Sequence, residues 1–64
     1  MVSFKTRRKR LGIKRQELAT LAGVSASTLW RIEENKVAPS PLVSRAINEA
    51  LAVREELAKT EAAQ

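Results

Sequence analysis

Sixty-four residues suffice for one small domain. With neither cysteine nor histidine, disulfide and zinc staples are excluded, so packed helices must carry the stability. Apolar residues make up 44% of the chain and charged residues 30%, at a formal net charge of +5, and no apolar run is long enough for a membrane span or a signal peptide.

The charge is unevenly placed. Residues 1–16 carry Lys5, Arg7, Arg8, Lys9, Arg10, Lys14 and Arg15 and no acid. In residues 17–48, Glu17, Glu33 and Glu34 balance Arg31, Lys36 and Arg45, and residues 49–64 are net acidic. One strongly positive end makes a field that draws polyanions, although a basic run also reads as a solvated helix face.

In chain order, the first helix is expected over about residues 3–11. Phe4, Arg8 and Leu11 fall at i, i+4 and i+7 and share a face, and Gly12 suits the left-handed end. A second helix follows from Arg15 to Ala22, with Leu18, Ala19 and Ala22 inward and Gly23 as its stop. Ser25 is an N-cap for a third helix over about 26–34, which buries Leu29 and Ile32 and ends at Asn35. Ser40 caps a fourth helix and Pro41 takes its first position, followed by the apolar positions Leu42, Val43, Ala46, Ile47, Ala50, Leu51, Val53 and Leu57. That helix is expected to reach about Lys59, with residues 60–64 as a frayed tail. The expected fold class is therefore all-α, a compact arrangement of four to five short helices in a single domain over 1–59.

The segment from Arg15 to Glu34 carries the sharpest signal. Two short helices meet at a tight turn, with the small Ala19 at the crossing, Gly23 in an angle that other residues resist, and Val24 plugging the corner. By this reading Gly23→Val unfolds the domain. Trp30 sits beside Leu29 and Ile32, which claim the inward face, so it is expected to be partly exposed; core or half-core packing on the fourth helix is its default place, with contact to sugar-phosphate or a dimer seam as the alternatives.

This segment resembles the lambda-repressor-like helix-turn-helix family of Xre/Cro type. The likeness runs through Leu11-Gly12-Ile13, Gln16-Glu17-Leu18-Ala19, Ala22-Gly23-Val24-Ser25, Ser27-Thr28-Leu29 and Arg31-Ile32-Glu33-Glu34-Asn35-Lys36, then past Pro39 to Ala50-Leu51. The resemblance implies that the third helix is a recognition helix in the major groove, with Ala26, Ser27 and Arg31 at base edges. It implies a structural ion pair between Arg8 and Glu33. Phosphate contacts are expected from Lys14, Arg15, Thr28 and Lys36, with Lys5 and Arg10 as further candidates. Lys14 and Arg15 oppose the macrodipole at a helix start, a broken local rule that hints at function. Asn35 stands where the family usually has Gly, and Ala52 where it often has Gly before a fifth helix, so the fourth helix is expected to run on through Val53 and Leu57, the candidate dimer seam.

An enzyme is not expected: histidine, cysteine, tyrosine and aspartate are all missing, and the glutamates reveal no paired-carboxylate site. No cofactor or metal is expected. Single-stranded RNA binding fits poorly, since only Phe4 and Trp30 could stack on bases. The expected activity is sequence-specific binding of double-stranded DNA at a near-palindromic operator by a homodimeric repressor. Its expected setting is the cytoplasm, on the nucleoid, in a bacterial or phage-encoded system. The alternatives are an antitoxin that binds a partner toxin and represses its own operon, and a protein-binding module on the same fold.

Overall fold

A computed structural model describes residues 3–62. Four helices follow in order: α1 (Phe4–Leu11), α2 (Arg15–Ala22), α3 (Ala26–Glu33) and α4 (Pro41–Ala62), and no strand occurs among the described residues. No helix there is long and apolar enough to cross a membrane.

The helix ends follow local chemistry. Ser3, Ser25 and Ser40 each accept a backbone N–H three residues on, from Thr6 at 3.1 Å, Thr28 at 3.0 Å and Val43 at 3.2 Å, which satisfies one of the donors a helix start leaves open. Only α2 begins without a side-chain cap, at Lys14. Asn35 closes the turn after α3 in the left-handed region at φ 60°, the one conformation of that kind that Asn tolerates well.

Gly23 ends α2 at φ 74°, and the next N–H, from Val24, reaches back to the Ala19 carbonyl at 3.0 Å. A Cβ added at Gly23 would meet nothing within 4 Å. The cost of a side chain there is therefore conformational and not steric, which lowers the expectation at this turn from unfolding to a measurable loss. Gly23→Ala is expected to destabilise the domain by about 1–2 kcal/mol. A thermal melt should show a midpoint at least about 4 °C lower; an unchanged midpoint would contradict the left-handed assignment.

The core is small and continuous. Leu18 and Ala19 of α2, Leu29 and Ile32 of α3, and Ile47 and Leu51 of α4 are buried together. Phe4, Leu11, Ile13, Val24, Val43 and Ala50 pack around them, half-buried. Burial therefore follows the expected inward positions of α2 and α3.

Helix α4 is one unbroken element of 22 residues, about 33 Å at 1.5 Å per residue. It extends through Thr60, Glu61 and Ala62, beyond the expected end at Lys59, and residues 63–64 of the expected tail lie outside the described residues. With Ala52 in place of a helix-breaking Gly, no fifth helix separates. Among the described residues past Leu51, none belongs to the buried core, and ion pairs hold that half of α4 to the bundle. Arg54 donates to Glu17 of α2, while Arg7 of α1 forks onto Glu55 at 2.7 and 2.9 Å and reaches Asn48 at 2.6 Å.

Candidate nucleic-acid interface

Helix α3 has two faces with different fates. Leu29, Ile32 and Glu33 point into the domain and are buried, whereas Ala26, Ser27, Trp30 and Arg31 are exposed. At 100° per residue the exposed four fall on one side, Trp30 standing one turn beyond Ala26 and Ser27. Together with Arg15 from the start of α2 they line an open cleft of about 400 Å³.

Beneath this face lies a charge cluster. Arg8 grips Glu33 with two parallel hydrogen bonds, Nε to Oε2 at 2.8 Å and Nη2 to Oε1 at 3.1 Å, and its Nη1 donates to the Ile13 carbonyl at 3.0 Å. Arg15 Nε donates to the same Glu33 Oε1 at 3.0 Å. The Glu33 side chain is fully buried, Arg8 is 10% exposed and Arg15 34%. Burial pushes the Glu33 carboxyl up, but the hydrogen bonds and charges of Arg8 and Arg15 outweigh it and hold the group below its ordinary value. Two guanidiniums share one carboxylate, so the cluster keeps a net positive charge whose exposed member opens into the cleft.

The structure thus brings Arg8 and Glu33 together and adds a partner that sequence reading placed elsewhere. Arg15, expected at a phosphate, is tied to Glu33. The cation at the start of α2 therefore has a structural partner, which weakens the broken-rule hint by itself. Lys5 is likewise paired, with Glu34 at 2.9 Å; that hydrogen bond, reinforced by the lysine's charge, lowers the Glu34 carboxyl. Glu34 caps the end of α3 beside the exposed outer face, and Lys5 offsets the charge of its carboxylate.

The other expected contacts lie at the surface. Lys14, Arg10, Arg31 and Lys36 are exposed and make no side-chain hydrogen bond or ion pair among the described residues. Lys36 is held in place by its backbone, whose N–H reaches the Arg31 carbonyl at 2.8 Å. Thr28 is half-buried, and its hydroxyl accepts from Ser25 Oγ at 2.8 Å, so it belongs to the cap of α3.

Arg7 gains a place that the sequence did not supply, and Trp30 keeps the partial exposure expected of it. Arg7 is the tether from α1 to α4 described above; their shared hydrogen bonds let Arg7 lower the Glu55 carboxyl and Glu55 raise the Arg7 guanidinium. The available signal was that Asn48 and Glu55 lie seven residues apart, two turns along one face of α4. Trp30 is 43% exposed and stands outside the core, on the outward face. Its signal was the i+3 and i+4 spacing from Ser27 and Ala26.

A family model described as helix-turn-helix matches residues 4–58, most of the chain and all of the geometry above. No curated protein and no solved structure matches the chain significantly. The turn at Gly23, the buried anchors of α3 and its exposed outer face are the parts such a fold requires, and the chain belongs to the lambda-repressor-like helix-turn-helix family of DNA-binding transcription regulators.

Proposed function

We propose that the protein is a repressor that binds double-stranded DNA sequence-specifically as a homodimer, each copy laying α3 in the major groove of one half-site. The observation that carries this reading is the outer face of α3, where Ala26, Ser27 and Arg31 are exposed and share a cleft with Arg15. Arg31 has no internal partner among the described residues and suits a bidentate contact to guanine O6 and N7. Ala26 and Ser27 are small enough to let the helix backbone approach the base edges.

Phosphate contacts are assigned to Lys14, Arg15, Thr28, Lys36, Lys5 and Arg10, but not with equal weight. Lys14, Arg10 and Lys36 have no ion-pair partner among the described residues and give up only counterions on binding. Arg15 and Lys5 already serve carboxylates, and removing Lys5 also unmasks Glu34. A titration of affinity against salt separates these roles. For Lys14→Gln and Lys36→Gln, the slope of log K against log salt is expected to shrink by about 0.9 each. Unchanged slopes in both variants would remove them from the interface.

Helix α4 supplies the seam in this reading. Val53 and Leu57 are 61% and 48% exposed beyond the core, an apolar pair that a second copy covers. Two-fold pairing sets the half-sites about 34 Å apart on one side of the duplex, and occupancy of such an operator blocks polymerase. The cytoplasmic, nucleoid-bound setting and the bacterial or phage origin belong to the same proposal. The same exposed residues favour one second reading, an antitoxin whose α4 waits for a toxin. Sedimentation of the free protein distinguishes the two, a dimer supporting self-association and a monomer at all concentrations supporting the heterologous partner.

A further inference from the structure

Trp30 is the only tryptophan of the chain, and nothing in the fold consumes it. Its ring is 43% exposed, and its indole N–H makes no hydrogen bond among the described residues. The side chain faces the cleft lined by Arg15, Ala26, Ser27 and Arg31. Its neighbours one turn back, Ala26 and Ser27, are too small to shield it, and Arg31 lines the same cleft. A second copy of this chain is a poor cover for that surface. Pairing through the cleft would bring the arginines of both copies together, and like charges repel.

A polyanion with apolar groups on its reading edge fits better. In the major groove of DNA the C5-methyl of thymine is the one apolar group presented by a standard base, and guanine offers the O6 and N7 acceptors that suit arginine. Consecutive residues on a helix are displaced by 1.5 Å along its axis, less than half the 3.4 Å between stacked bases. Trp30 and Arg31 also line one and the same cleft, so the groups they meet on a groove edge lie close together.

Resting on the reading that α3 enters the major groove, we propose that Trp30 packs on the methyl group of a thymine adjacent to the guanine bound by Arg31. A thymine–guanine step then forms part of each half-site, and Trp30 is a specificity-determining residue alongside Arg31.

The test uses the full chain and a duplex enriched from a randomised library, with each thymine replaced in turn by uracil, which lacks only the methyl. Binding is followed by anisotropy of the labelled duplex. For the unaltered protein, uracil at one thymine beside a guanine is expected to weaken binding about fourfold, the effect of one buried methyl group. Trp30→Ala is expected to keep its helicity and bind the thymine and uracil duplexes equally. If no replacement changes the affinity of the unaltered protein, the proposal is overturned, and that comparison does not depend on how the variant folds. Discrimination that persists in a folded Trp30→Ala protein overturns it as well. Failure of the underlying reading looks different: no duplex of any sequence is bound, and both fall together.

Discussion

Arg8→Ala is expected to be as damaging as truncating a core leucine, although it removes a charged residue from a strongly basic segment. Glu33 is fully buried, and without Arg8 its carboxylate keeps only the single bond from Arg15, a partner that is one-third exposed. Breaking a buried pair from one side costs about 3–5 kcal/mol, against a total stability for 64 residues of roughly 3–10 kcal/mol. A thermal melt is expected to shift down by more than about 12 °C. Arg15→Ala, by contrast, leaves the two-pronged grip of Arg8 intact and is expected to cost less than about 1 kcal/mol. Equal losses in the two variants would mean that the charge is shared differently from the observed geometry.

The same cluster sets the response to acid. Glu33, Glu34 and Glu55 all have carboxyls held below the ordinary value of 4.5 in the folded chain. A depressed folded value means that the folded state holds the proton less tightly than the unfolded one. The stabilisation is present above the ordinary value and is lost as the pH falls below it through the folded value. Unfolding on acidification is therefore expected to begin beneath about pH 4.5, with Glu33 the buried contributor.

Arg31→Ala is expected to have the opposite profile, leaving the melt unchanged while removing base discrimination. The side chain is exposed and has no partner among the described residues, so its loss leaves no buried group unsatisfied. If it holds a guanine, the preferred site loses about 1–3 kcal/mol of discrimination, about five- to 150-fold, while binding to unrelated duplex falls far less. Lys36→Ala, if Lys36 meets only phosphate, lowers both by a similar factor. A preference that survived in Arg31→Ala would move the base-reading role to other residues of the face.

Legibility in the sequence differs between local and distant features for a physical reason. Ser25 and Ser40 as caps, Gly12, Gly23 and Asn35 as left-handed ends, and the inward Leu18, Leu29 and Ile47 are all set by neighbours within a turn or two. The uninterrupted run of α4 was legible from Ala52 for the same reason. Arg15–Glu33, Lys5–Glu34, Arg7–Glu55 and Glu17–Arg54 join residues 18 to 48 positions apart. Which cation meets which acid depends on the angles at which helices cross, and charge patterning along the chain does not encode that. Beyond the structural Arg8, the basic residues therefore divide into tethers such as Arg7, partners of surface carboxylates such as Lys5 and exposed cations such as Lys14 and Lys36. Trp30 lies between the two cases: Leu29 and Ile32 claim the inward face and leave it partly exposed, as expected, but nothing local decides what its exposed ring meets.

Selection of duplexes from a randomised library by the full chain, at about 0.15 M salt where non-specific attraction is weakened, tests directly whether α3 reads bases. The expected product is a two-fold symmetric sequence whose half-sites repeat at one helical turn, with an invariant guanine in each. Binding without enrichment of any sequence, or no binding at all, would contradict α3 as a reader of bases.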